Sequence, residues 1–146
     1  MNSPQDRESL RDLDGVRVAV EDLTPAARSR GLSADQLQND VESQLRQSGI
    51  TVLNMGDFPV GDPFLRVRVG VTTEEQGLVG YDVELDFVQI VFMRRNPAVT
   101  FNRAETWRAD GRMGLVPPAR LASEVRRELR AQVDQYLADY RVVNPK

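Results

Sequence analysis

Three carboxylates recur at alternate positions in the middle of the chain, at Asp82, Glu84 and Asp86. Grouped acidic side chains are the material for divalent-cation binding or for general acid–base chemistry. Little else in the chain offers chemistry. The 146 residues contain no histidine and no cysteine, and the single lysine is Lys146. Without histidine there is no Ser–His nucleophile system, and the commonest general base and zinc ligand is missing. No G-x-S-x-G, no G-x-G-x-x-G after a strand and no Walker sequence occurs. That leaves carboxylate chemistry. Alternate residues of a strand stand about 6.8 Å apart, too far to share one ion unless a neighbouring strand adds ligands. The expected neighbour supplies Arg66 and Arg68, which neutralise rather than complete a site. The row is therefore expected to be a solvated, salt-bridged sheet face, with no catalytic residue, metal or cofactor assigned. Asp57 and Asp62 lie in a stretch rich in glycine and proline and are expected as turn residues.

The elements that position this row are strands. Leu65, Val67, Val69 and Val71 alternate with Arg66, Arg68, Gly70 and Thr72, and Tyr81, Val83, Leu85 and Phe87 alternate with the carboxylates. Period two with β-branched and aromatic residues predicts half-buried strands, and the polar, Gly-containing stretch 73–78 predicts a hairpin loop. Keeping apolar residues opposite apolar ones sets Leu65 against Phe87, Val67 against Leu85 and Val69 against Val83. The same register sets Arg66 against Asp86 and Arg68 against Glu84, so both faces agree on one pairing.

Past Phe87 the outer face turns apolar. A turn at 94–97 is expected to return the chain as a third strand over 98–108, registered with Ala104 opposite Phe87. Val99 then lies beside Phe92 and Phe101 beside Ile90. That register also opposes Asp86 to Glu105, a like-charge pair that a bulge near Asn102 would relieve. The predicted outer patch of Val88, Ile90, Phe92, Val99 and Phe101 needs a cover. The amino-terminal arm, a loop, a protein partner or a second copy across a two-fold axis would each supply one. This patch is the candidate partner-binding surface.

Elsewhere, residues 1–14 lack periodicity and are expected as a flexible arm, with 15–146 a single α+β domain. Residues 15–21 alternate as a strand. Ser33 and Gln36 have capping-box spacing, with Leu32 and Leu37 at the staple positions. Leu37, Val41 and Leu45 then mark a helix that Gly49 ends. A short strand is expected at 50–53, parallel to the first through a right-handed crossover. Residues 109–116, with Gly111 and Gly114, are expected as a loop. Pro117-Pro118 opens a last helix to about residue 140, striped by Leu121, Val125, Leu129, Val133 and Tyr136. Trp107, Tyr136 and Tyr140 are expected in the core. Arg126, Arg127 and Arg130, interleaved with acids, are expected on a mixed solvated face. The predicted fold class is α+β: a two-layer sandwich in the order β-α-β-β-β-β-α, its sheet mixed but mostly antiparallel, with both helices on one face.

A net charge of −3, from 19 basic and 22 acidic residues, argues against nucleic acid as a partner. No run approaches the roughly 18 apolar residues of a transmembrane segment. The first eleven residues are polar and lack the apolar centre of a signal peptide. A periplasmic or otherwise exported location is expected if a signal has been removed, and a cytoplasmic one otherwise.

The stretches LRQSGITVL, GYDVELDFVQIVFMRRNP, ETWRADG and VDQYLADYRVVNPK resemble a group of small uncharacterised, exported bacterial proteins over residues 16–145. The order of elements is similar to that of the TolB amino-terminal domain and of lipopolysaccharide-assembly lipoproteins, although no cysteine is present for lipid attachment. The resemblance implies export and partner binding, and it carries over no catalytic residue. The expected function is a non-enzymatic binding or assembly module of the bacterial envelope, acting through an apolar sheet face or edge. Its partner would be another protein or a second copy of itself. The alternative is an Asp/Glu-dependent hydrolase or metal-binding enzyme.

Overall fold

The structure, a computed structural model, describes residues 2–54, 56, 57 and 59–146. Its elements follow in the order α1 (Pro4–Glu8), β1 (Arg17–Val20), α2 (Pro25–Ser29), α3 (Ala34–Gln47), β2 (Phe64–Val71), β3 (Val79–Met93), β4 (Asn96–Arg108), β5 (Arg112–Val116) and α4 (Leu121–Val143). A 3-10 turn, Pro118–Arg120, leads into α4. The class is α+β, with a five-stranded, mostly antiparallel sheet ordered β1-β2-β3-β4. Among the strands of the described residues, β1 and β2 are the one parallel pair. Helix α4 packs on β3, α3 packs on β1, and the two helices pack on each other, so both cover one face.

Local chemistry sets the boundaries. The Ser33 hydroxyl accepts from the Gln36 backbone N–H at 3.3 Å, which starts α3. At its end Gly49 adopts φ +83°. Ile50 N–H then reaches Leu45 O, and Gly49 N–H reaches Arg46 O, both at 3.0 Å. That pair of bonds is a Schellman ending, which satisfies carbonyls the helix leaves open. The β2–β3 turn closes over Gln76 and Gly77, both at positive φ, between paired Glu75 and Leu78. Two left-handed central residues match the twist of the flanking strands, and this fixes the hairpin.

The β2–β3 register is the expected one in every pair, from Leu65 opposite Phe87 to Val69 opposite Val83. Three expectations need correction. Residues 50–53 form only a parallel bridge, Val16 to Val52, held by Val16 N–H to Thr51 O at 3.0 Å and Leu53 N–H to Val16 O at 2.9 Å. Residues 112–116 are a strand, β5, paired with the first part of β3. Gly114 belongs in it because the Tyr81 ring occupies the space that a Cβ at 114 would fill. The β3–β4 register differs as well. Asp86 faces Arg108 and Phe87 faces Trp107, then Gln89 faces Ala104 and Val91 faces Phe101. Thr106 is one extra residue, and Asn102 with Arg103 lie against Ile90 alone. These are bulges, the second at the position where the like-charge pair had called for one. They replace the Asp86–Glu105 clash with an Asp86–Arg108 pairing.

Residues 2–14, expected as an arm, lie against the rest of the fold in the structure. Ser3 and Asp6 form a reciprocal capping box on α1, and Leu10 is wholly buried in the core. Asn144 donates to Leu10 O at 2.9 Å, and Ser9 Oγ donates to Thr106 O at 3.3 Å. At the centre of the core, Tyr136 stacks on Phe87 at 6.1 Å and meets the Trp107 ring edge-on at 5.4 Å. Trp107 Nε1 donates to Asp139 at 2.8 Å. Both aromatic expectations for this region hold.

Candidate functional site

On the helix-free face of the sheet, the carboxylate row is held by arginine. Arg66 donates through Nε and Nη2 to the two oxygens of Asp86 at 2.9 and 2.7 Å. Arg68 Nη2 donates to the same carboxylate at 3.0 Å and pairs with Glu84 at 2.8 Å. The Asp86 side chain is 1% exposed, so the row is salt-bridged as expected at Glu84 and Asp86 but is less solvated at this end. The bidentate hydrogen bond to Asp86 raises the Arg66 guanidinium above its ordinary value, against the opposing effect of burial. A cation at Asp86 would have to displace two arginines. Among the described residues, no three His, Cys, Asp or Glu side chains converge to hold a metal ion. Asp82 stands apart from this network. Its neighbour on β2 is Gly70, and the carboxylate fills the space where a Cβ at 70 would sit.

Asp57 and Asp62 serve the loop, as expected. Asp57 accepts from Asn54 N–H at 2.7 Å, and Asp62, at φ +43°, pairs with Arg17. Two of the α4 arginines are likewise engaged. Arg126 binds Asp40 at 2.7 and 3.0 Å, and Arg127 binds Glu124 at 2.7 Å.

The candidate partner-binding residues sit on the far end of the β3–β4 hairpin. Ile90, Phe92, Val99 and Phe101 are 40%, 64%, 39% and 52% exposed. Val88 differs: it is fully buried between Phe64 and Glu105 in the sheet. The four exposed residues do not form one patch. With Val91 opposite Phe101 and Phe92 opposite Thr100, Phe101 and Val99 share the face of Val91, whereas Ile90 and Phe92 point to the other face. The bulge at Asn102 and Arg103 supplies the one-residue slip that moves β4 side chains across the sheet. The predicted patch is thus a ribbon with apolar residues on both faces.

Two further properties define this ribbon. Ile90 N–H donates to Gly61 O at 2.7 Å, and among the described residues no strand continues along the β2-side edge of β3 past that bond. The opposite edge, β4, is the last strand of the sheet and is exposed from Asn96 to Arg103. Residues 90–103 carry Arg94, Arg95 and Arg103 and no acid. Arg103 lies over the Phe64 ring at 5.9 Å. Sequence reasoning treated Arg94 and Arg95 only as turn residues. Their charge against an acidic remainder was the available signal.

No protein-family model matches this chain, and no curated protein matches it. Solved structures do match. One is a PelC dodecamer from Paraburkholderia phytofirmans, at 17% identity over 89% of this chain and 88% of that one, with a TM-score of 0.46. Another is a minor lipoprotein from Acinetobacter baumannii, at 13% identity over 88% of this chain and 92% of that one, with a TM-score of 0.34. Both are likenesses of broad outline between this chain and proteins of bacterial origin.

Proposed function

We propose that this chain is a non-enzymatic binding or assembly module whose working surface is the ribbon of residues 90–103. The observation that carries this reading is the exposure of Ile90, Phe92, Val99 and Phe101 on a two-stranded projection whose β4 edge is unpaired and whose β3 edge carries no strand past Ile90 among the described residues. Apolar side chains concentrated on one projection favour burial against another surface. Free strand edges offer backbone donors and acceptors to an added chain. The competing use of the sheet, carboxylate chemistry, is disfavoured because Asp86 and Glu84 are already bound to arginine. A protein partner or a second copy is the occupant this surface suits, and the bacterial envelope is the setting that the sequence resemblance implies. No helix among the described residues is long and apolar enough to cross a membrane.

Site-specific photocrosslinking tests the reading. A benzophenone side chain at Phe92 or Phe101 is expected to give a discrete protein adduct in cells, and the same group at Arg130 on the exposed side of α4 is expected to give none. Silence at both ribbon positions, or identical adducts from all three, would remove the ribbon as the working surface.

A further inference from the structure

The opposite end of β3 carries a second surface, and its chemistry complements the ribbon. There Gly70, Gly80, Asp82, Met113 and Leu115 meet on the helix-free face, in pairs fixed by the register: Gly70 with Asp82, Gly80 with Leu115, Asp82 with Met113. An open cavity of about 910 Å³ lies over this face. Its apolar walls are Met113, 86% exposed, and Leu115, 70% exposed. Its polar side is acidic. Glu75 lines it, and the Asp82 carboxylate has no arginine opposite it, unlike Glu84 and Asp86. The trough is therefore apolar and negative, while the ribbon is apolar and positive.

A trough of this kind selects a partner that brings exposed apolar side chains with arginines beside them. The ribbon of residues 90–103 has that composition. It cannot reach the trough of its own chain. Asp82 and Phe92 lie ten residues apart on one continuous strand, about 30 Å at strand spacing. A continuous extended strand does not fold back over that distance. Resting on the proposed role of the ribbon, we infer that its partner is a second copy of this chain, with the ribbon of one molecule seated in the Gly70–Leu115 trough of the next. Such a contact is head-to-tail. An open pair then retains one free ribbon and one free trough, so association continues beyond a dimer until a ring closes or a filament grows. Attraction between arginines and carboxylates at the rim makes the contact weaken with added salt.

Complementation by light scattering tests this on the whole chain. The native protein is expected to rise above dimer mass with concentration, and to lose at least tenfold in association between low salt and about 0.5 M salt. Phe92→Ser with Arg95→Ser removes the ribbon, and Met113→Ser with Leu115→Ser removes the trough. All four positions are exposed, and circular dichroism verifies folding. Each double variant alone is expected to be monomeric, and an equimolar mixture to form a 1:1 dimer and nothing larger. The inference is overturned if the native chain stays monomeric at every concentration, if the mixture stays monomeric, or if the trough variant assembles like the native chain, as a ribbon-to-ribbon dimer would. Crosslinks from Phe92 to a different protein, together with a monomeric native chain, would retain the ribbon as a working surface and remove only the second copy as its partner.

Discussion

Phe87 and Phe92 lie five residues apart on one strand, and their surroundings are opposite. Phe87 is fully buried against Tyr136, whereas Phe92 is 64% exposed. The same contrast separates the two parts of β3 as a whole. From Val79 to Val88 nearly every residue is buried, with β2 on one side, β5 and then β4 on the other, and α4 across the inner face. From Val91 onward, among the described residues, the strand pairs with β4 alone and its side chains are exposed or half-buried. Alternation determines which residues share a face. Whether that face is covered depends on a helix that ends elsewhere in the chain, so a long apolar strand can be core at one end and interaction surface at the other.

The sharpest way to break this contrast is to truncate both aromatics. Phe87→Ala should cost about 3–5 kcal/mol, because it removes a ring from a packed cluster that cannot collapse onto the gap. Phe92→Ala should change stability by no more than about 0.5 kcal/mol, the usual range for an exposed site. Urea unfolding of dilute protein, read from the midpoints at constant slope, measures both. A loss at Phe92 approaching that at Phe87 would mean that the ribbon is covered in the free molecule.

The two regions also differ in how they hold charge, and Asp86→Asn tests this with the next largest effect. The substitution keeps shape but leaves Arg66 and Arg68 facing a neutral amide at a buried position. It is expected to cost about 3 kcal/mol, near the low end for breaking a buried pair because both arginines retain some exposure. Asp82→Asn, four residues away on the same face, is expected to cost under about 0.5 kcal/mol, because no arginine faces it across β2. Equal losses in chemical unfolding would show that the row acts as one network, with Asp82 part of it.

How far these features could be read in advance follows from what each one depends on. The β2–β3 register was legible because two independent patterns, apolar pairs inside and opposite charges outside, agree on it. The β3–β4 register was not, because alternation survives on either side of a bulge and does not count the residues inserted between. The Asp86–Glu105 clash was the trace of those insertions, and the ribbon's two-faced character followed from them. Strand β5 was hidden by Gly114, a residue that usually marks a turn and here makes room for the Tyr81 ring. With β5 unread, Met113 and Leu115 had no visible relation to Asp82, and the trough could not be assembled. Residues that come together only through such pairings leave no local pattern.

The last effect, small and of the opposite sign, concerns the aromatic that joins the core's rings. Tyr136 lies between Phe87, Trp107 and Tyr140, and its hydroxyl has no hydrogen-bond partner among the described protein groups. Burial drives its ionisation far above the usual tyrosine range, so the group is neutral at every working pH. A buried hydroxyl without a protein partner contributes desolvation cost and little else, so Tyr136→Phe should be neutral or stabilising by up to about 1 kcal/mol. The ring contacts are unchanged, which makes the substitution a test of the hydroxyl alone. A loss above about 1 kcal/mol in thermal or urea unfolding would mean that the oxygen is satisfied by water. The small cavity of about 80 Å³ beside Tyr136 and Tyr140 is where that water would sit. The core half of the molecule would then be wet at its centre, and its contrast with the ribbon would lie in packing rather than in the exclusion of solvent.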